Sequence, residues 1–214
     1  MEANLDQFHH ISPEDAPGGN VRHLLNAAIA PRPIAWVSTV AADGTLNLAP
    51  HSYTTVFSTK PPIVGFVSTG AKDTLRNTRS SGEFVYNIVG EELGERMNLT
   101  SADFPPDVSE FSWTGLTPVP GNVITTPRVG EAPIAMECRL VDIYQVPGAE
   151  SWLVLGEVVY FHIADRVWRD ERIDPMLVQP LTRLGGNDYG TLGELFKMKR
   201  PTYAGLIEES ARTS

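Results

Sequence analysis

Ile34-Ala35-Trp36-Val37-Ser38-Thr39-Val40, followed by Asp43-Gly44 and then by Leu46-Asn47-Leu48-Ala49-Pro50-His51-Ser52-Tyr53-Thr54, reads as two strands and the turn between them. The first run is built from β-branched, aromatic and small residues, which suit a pleated, half-buried surface. Asp-Gly between two such runs is a strong hairpin signal, because the tight turn needs positive φ that Gly accepts and Asp tolerates. A strand over Ile34 to Val40 that returns antiparallel over Leu46 to Thr54 is therefore expected, and this hairpin opens the core.

Seventeen prolines and eighteen glycines cut the rest of the chain into short pieces rich in Val, Ile, Thr and aromatics, so an all-β body is expected. Ile63 to Ser68 is a continuous apolar run of strand length, the pattern of a strand buried on both faces. Asp73 can cap, and Gly82 can stop, a short helix over the polar segment Asp73 to Ser80. Glu83 to Val89 reads as a strand and Glu91 to Leu99 as a helix. Residues 101 to 130 are proline-rich and aperiodic, an excursion over the barrel and not a linker. Ile134 to Val146 and Trp152 to Ile163 form a second, long hairpin across Pro147-Gly148, as a coiled barrel wall requires. A polar, Gly-rich turn at Arg183 to Tyr189 precedes a short helix around Leu192 to Lys197. One domain over residues 1–214 is expected, with its core at about 20–201 between an N-terminal arm and a C-terminal tail.

Hydrophobic residues at 42% and charged residues at 20% exclude a disordered chain. Seventeen Lys and Arg against 26 Asp and Glu leave a net charge of −9, and no long basic run is present, which argues against a nucleic-acid partner. One bound phosphate is still compatible, since a single Lys and a helix terminus can hold it locally. Cys138 is the only cysteine, so no internal disulfide or zinc pair is available; it reads as a small strand hydrophobe. No 18-residue apolar run and no basic leader followed by an apolar stretch occurs, so a cytoplasmic protein without a membrane anchor is expected.

Two stretches carry candidate chemistry. Ser68-Thr69-Gly70-Ala71-Lys72-Asp73-Thr74 leaves a buried strand and enters a helix. Gly70 permits close backbone approach, the helix start offers free N–H groups, and Lys72 and Thr74 add charge and a hydroxyl. These residues fit a phosphate cradle and equally an ordinary strand-to-helix turn. The hairpin from Arg32 to Thr54 offers hydroxyls and apolar positions that can flank a flat ring, or else simply face solvent.

The order of the pieces is more specific than any one of them. Pro-Arg-Pro-Ile-Ala-Trp-Val-Ser-Thr, Asp-Gly-Thr-Leu-Asn-Leu-Ala-Pro-His-Ser-Tyr, Pro-Pro-Ile-Val, Lys-Asp-Thr with Asn77, and Glu-Phe-Val-Tyr-Asn-Ile-Val closely resemble the flavin reductase-like, FMN-binding split-barrel family. Ser109-Glu110-Phe111, Glu137-Cys138, Leu155-Gly156-Glu157-Val158 and Arg183-Leu184-Gly185-Gly186-Asn187-Asp188-Tyr189 extend the resemblance over roughly residues 20 to 201. It implies a mainly β, Greek-key split β-barrel with a few short helices, working as a homodimer with FMN near the subunit interface. On that resemblance Ser38, Thr39, Val40, Ala49, Ser52, Tyr53 and Thr54 touch the flavin ring. Ser68, Lys72, Asp73 and Thr74 surround its phosphate, and Arg183 and Tyr189 close over it.

The implied activity is FMN-dependent oxidoreduction, with NADH or NADPH passing hydride to the flavin. The resemblance departs at Ala149-Glu150-Ser151, where flavin reductases of two-component monooxygenases often carry Gly-Asp-His, and this places the chain nearer the flavoredoxin-like branch. The alternatives are therefore an electron-transfer module reduced by a protein partner, and a barrel that binds a non-flavin ligand. His9, His10 and His23 read as a solvated arm. His51 is either a neighbour of the ring or a structural histidine, and no metal-ligand spacing is visible. Trp36, Trp113, Trp152 and Trp168 read as packing residues. Because the flavin carries hydride chemistry, no catalytic side chain is named.

Overall fold

The computed structural model describes residues 8–213. Seven strands form one antiparallel sheet: Ala35–Val40 (β1), Leu46–His51 (β2), Thr54–Thr59 (β3), Pro62–Thr69 (β4), Glu83–Ile88 (β5), Ile134–Gln145 (β6) and Ser151–Ile163 (β7). Their order is β2-β1-β5-β6-β7-β4-β3. The fold is mainly β, a split barrel with a few short helices. The helices are Val21–Ala28 (α1), Asp73–Ser81 (α2), Gly94–Leu99 (α3), Glu110–Thr114 (α4), Pro175–Val178 (α5) and Tyr203–Thr213 (α6).

The expected single strand from Leu46 to Thr54 is two strands. The chain bends at Ser52-Tyr53, so that β2 pairs with β1 and β3 pairs with β4 at the far end of the sheet. The Val67 amide donates to the Tyr53 carbonyl at 2.8 Å across the bend. A backbone that leaves one edge of a curled sheet and joins the other satisfies its polar groups on both sides, and this bend brings the two edges together. The opening hairpin is antiparallel as expected, with Val40 opposite Leu46 and Ala35 opposite His51.

Two apolar layers stabilise the barrel. Inside it pack Ala35, Val37, Phe66, Leu75, Phe84, Cys138 and Val154. Burial pushes the Cys138 thiol pKa up, which keeps it an inert hydrophobe. Gly156 on β7 lies where an added Cβ would meet the Phe84 ring at 2.5 Å, so this position has room for glycine alone. On the outer face Trp36 and Leu48 pack with Leu93, Met97, Phe111 and Val129 from the segment that follows β5. The excursion at 101–130 thus lies over the barrel as expected, carrying α4 within it. Buried Glu137 anchors it, its carboxylate accepting from the amides of Asn122, Val123 and Ile124 and meeting His162 Nε2 at 2.6 Å.

Two terminal expectations change. The N-terminal arm contains α1, whose Val21, Leu24, Leu25 and Ala28 follow helical spacing. The helix expected around Leu192 to Lys197 is absent. Those residues are irregular and largely exposed, and Gly193 within so short a segment without buried partners cannot offset the cost of helix nucleation. A helix forms later, as α6.

Candidate functional site

A cleft of about 790 Å³ lies between the bend after β2, the start of α2, α1 and the turn at residues 183–187. This is the size range of small-molecule and cofactor sites. Five of its lining residues are cationic, Arg22, Arg32, Lys72, Arg76 and Arg183, against the acids Asp73, Asp103 and Glu110. In a chain of net charge −9 the cleft reverses the sign of the whole molecule, which favours an anionic ligand.

At one end stands the N-terminus of α2. The first bond of the helix runs from the Arg76 amide to the Lys72 carbonyl, so the amides of residues 73 to 75 have no partner within the helix. Buried Thr74 and Ser68 line the cleft beside them. Asn47 donates to Thr74 Oγ1 at 3.1 Å and also to Thr39 Oγ1, which accepts from Asn77 as well, so a buried amide–hydroxyl cluster holds α2 on the hairpin. Lys72 pairs with Asp103 at 2.6 Å with both side chains exposed. Arg76 bonds Asp73 and the Ala71 carbonyl.

The wall is His51. Its Nδ1 lies 3.2 Å from the Val67 carbonyl, which only accepts, so Nδ1 carries the proton and Nε2 is a bare acceptor. Nε2 is buried and unpartnered. Burial, with Lys72 nearby, lowers the imidazole pKa to about 4, so the ring is neutral at physiological pH. An orphaned buried acceptor on a cleft wall awaits a donor from a ligand.

Glu110 forms the floor. Its Oε2 accepts from the Leu48 amide at 2.9 Å. Burial raises its pKa, and the charge of Asp73 adds to the shift. Raised in the folded state, this group favours folding below its unfolded pKa and loses that contribution as pH rises through the folded value. Glu110→Gln keeps an acceptor for Leu48 and removes the charge. At pH 7.5 it is expected to raise the melting temperature and to strengthen binding of a phosphate-bearing ligand by about fivefold, the equivalent of ~1 kcal/mol. Calorimetry of both proteins checks this, and weaker binding would contradict it.

A second lobe of about 550 Å³ adjoins the first, sharing Arg22, Pro50, Ser52, Ser101, Arg183 and Asn187 with it and adding Ile34, Met97, Asn98 and Tyr189. Arg32 builds a wall of the larger lobe: its guanidinium donates to the carbonyls of Asn26, Ile29 and Leu184. It thereby ties α1 to the Gly-rich turn, and Tyr53 OH adds a bond to Asn26 Oδ1 at 2.7 Å.

Of the residues singled out in the sequence, Ala49, Ser52, Tyr53, Ser68, Lys72, Asp73, Thr74 and Arg183 line the larger lobe, and Tyr189 lines the second. Ser38, Thr39, Val40 and Thr54 line neither. Ser38 faces the excursion and donates to the Pro127 carbonyl, Thr39 lies beneath Thr74, and Thr54 donates to the Gly65 carbonyl and the Tyr86 hydroxyl. None of the four tryptophans lines a lobe; Trp36 is fully buried and donates to Thr100 Oγ1. Sequence reasoning missed Arg22, Asn26, Arg32 and Glu110 as cleft residues. The helical spacing of Val21 to Ala28 was the available signal for the first two. Among the described residues no group of three or more His, Cys, Asp or Glu can hold a metal, and no helix is long and apolar enough to cross a membrane.

Residues 27–179 match the model of the flavin reductase like domain. The chain is similar to nitrilotriacetate monooxygenase component B from Bacillus cereus, at 36% identity and TM-score 0.86, over 91% of this chain and all of that one. It is similar to the Pseudomonas fluorescens 2-nitrobenzoate 2-nitroreductase, at 32% identity and TM-score 0.82, over 91% and 98% of the two chains. Flavoredoxin of Desulfovibrio vulgaris shares the fold at 23% identity and TM-score 0.73, over 79% and 91%.

Proposed function

The chain belongs to the flavin reductase-like family, and on that premise we propose that it holds FMN non-covalently in the larger lobe and is an NAD(P)H-dependent flavin oxidoreductase. One observation carries the reading: an anion-suited helix start and a half-apolar wall with an orphaned acceptor open into the same cleft. A molecule with a phosphorylated tail and a flat heteroaromatic ring uses both.

The residues present fit that group. The free amides of the first turn of α2, Thr74 and Lys72 hold the phosphate, with Ser68 and Asp73 beside them. Ala49, Ser52 and Tyr53 flank the ring, and neutral His51 accepts a hydrogen bond through Nε2. Arg183, stacked on Tyr189 with its guanidinium carbon 4.4 Å from the ring centre, closes the site from the C-terminal turn. Thr39 supports the cradle through the Asn47 amide that it shares with Thr74, whereas Ser38, Val40 and Thr54 stand outside both lobes. Bound flavin supplies the hydride chemistry, so the protein binds, orients and excludes water without a side-chain acid or base.

We read the protein as a homodimer, consistent with the exposed Val56, Phe57, Val141, Tyr144 and Phe161 on β3, β6 and β7. Purified protein is expected to be yellow, to sediment at twice the chain mass, and to bleach anaerobically with NADH or NADPH. Colourless protein that ignores added FMN would reject the cofactor; a flavin-loaded monomer would reject the dimer. A specific feature favours a second reading, electron transfer from a protein donor. The hairpin tip Ala149-Glu150-Ser151 lacks histidine and lies against the cradle, the Gly70 amide donating to the Glu150 carbonyl at 2.8 Å. Reduction by a ferredoxin-like donor where both nicotinamides fail would select it.

A further inference from the structure

Helix α1 carries its amphipathic pattern turned away from its own chain. The polar residues Arg22, His23 and Asn26 share one side of the helix and line the larger lobe. Val21, Leu24, Leu25 and Ala28 follow the i, i+3, i+4, i+7 spacing of a single apolar stripe on the other side, and no residue of the helix is buried. Leu25 is 53% exposed, and Ile29 just beyond the helix 65%. A helix of eight residues is marginal without tertiary packing, and α1 is tied to the body by polar bonds, from Arg32 to the Asn26 and Ile29 carbonyls and from Tyr53 to Asn26 Oδ1. Its apolar stripe is left in water.

A second stretch has the same character. Every residue from Gly193 to Tyr203 is exposed, and Leu195, Phe196, Met198 and Tyr203 fall among them, Phe196 and Met198 at 80% and 83%. Single exposed apolar side chains are ordinary, but so dense a group marks a contact surface. The two stretches also match in charge. Residues 195–202 hold Lys197, Lys199 and Arg200 and no acid, whereas residues 1–20, which lead into α1, hold Glu2, Asp6, Glu14 and Asp15 and no Lys or Arg. Within one chain they do not cover each other, although the tail leaves the body close to α1: Tyr189 pairs with Arg183, which pairs with Arg32. We propose that the segment Leu195 to Tyr203 of one protomer packs on the apolar stripe of α1 in a second copy of the chain, so that each copy holds a wall of the other's cleft. Two-fold symmetry makes the contact twice. Phe196 and Tyr203 can each cover roughly 150–250 Å², a substantial share of the roughly 800 Å² that a stable interface takes from each partner.

Cys138 is the chain's only cysteine and is buried, so introduced thiols report alone. In the full-length protein carrying both Leu25→Cys and Met198→Cys, mild oxidation is expected to give a covalent dimer on a non-reducing gel, while each single variant stays uncrosslinked. A disulfide closed within one chain, no cross-link at all, or a single variant that dimerises as readily as the double one would overturn the proposal. Hydrogen exchange gives an independent measurement. With Phe196→Ala and Met198→Ala together, the amides of residues 25–29 are expected to exchange about tenfold faster, because α1 loses its cover. Unchanged exchange there would also overturn it. Both substituted side chains are exposed and outside the core, so the variants keep the fold. The proposal rests on the homodimer reading, which sedimentation of the unaltered protein tests separately. A dimer without the cross-link rejects the tail exchange alone, and a monomer rejects both.

Discussion

Glu137→Ala is expected to destabilise the protein by about 3–5 kcal/mol, the cost of breaking a buried charged network by removing one partner. For a chain of this length that lowers the melting temperature by roughly 10 °C. The carboxylate is fully buried and receives three consecutive amides of the excursion as well as His162. Alanine leaves those three donors without their acceptor, and the amide of buried Ile124 carries the full desolvation cost of an orphan. Gly121 packs against the same carboxylate, where an added Cβ would lie 3.1 Å from Oε2. The excursion is therefore expected to loosen first, and amide hydrogen exchange at residues 122–124 checks this locally. Glu137→Gln keeps one acceptor oxygen and is expected to recover part of the loss. A melting temperature unchanged in the alanine variant would contradict the role assigned to the carboxylate.

The same carboxylate sets a pH dependence. Burial on its own raises its pKa, but the amides of Asn122, Val123 and Ile124 together with His162 outweigh that, and the net shift is downward from 4.5. A group whose folded pKa is depressed stabilises the fold above its unfolded pKa and loses that contribution as pH falls through the folded value. Stability is accordingly expected to fall on acidification below about pH 4.5, and Glu137→Gln to flatten that part of the profile. Glu110, with its pKa shifted upward, acts in the opposite sense, so the two carboxylates are separable in melting curves recorded against pH.

Lys72→Ala is expected to weaken FMN by about 1.5–3 kcal/mol, roughly ten- to a hundredfold in dissociation constant, the usual size of a lost charge-assisted hydrogen bond. The effect on the fold is expected to be small. Lys72 and Asp103 have side chains that are 65% and 87% exposed, and an ion pair that open to water contributes little to stability. Asp103 competes with a phosphate for the ammonium group, so Asp103→Asn is expected to shift affinity in the opposite direction, tightening FMN modestly. Fluorescence titration of the three proteins, with melting curves alongside, checks both arms. Unchanged FMN affinity in the alanine variant would remove the phosphate assignment, and a large loss of stability would mean that the pair is structural.

Much of this molecule is legible in its sequence, for a local reason. Asp43-Gly44 produced the hairpin, because the sterics of a tight turn act within four residues, and the register of Ala35 to Val40 followed from it. Asp73 to Ser81 became a helix closed by Gly82 at φ +72, as the stop residue implied. Lys72, Asp73 and Thr74 face the cleft together because a helix start presents its first turn in one direction. The ordered set of short motifs identified the family.

Other parts depended on contacts between residues far apart in the chain. Period-two alternation says that Ser38 and Val40 share a face, but not which face the excursion would cover; Pro127, 89 residues away, settles that for Ser38. The bend at Ser52-Tyr53 exists because Val67 offers an amide across it. Arg32 reaches the cleft wall through Leu184, 152 residues on, and Glu110 through Leu48, 62 residues back. The sequence by itself determined the turns, the strands and the anion-suited helix start, since steric and hydrogen-bonding rules act over a few bonds. Tertiary packing alone decided which faces close on the cleft and which distant side chains meet there, because burial is a property of surfaces that do not exist until the chain has folded.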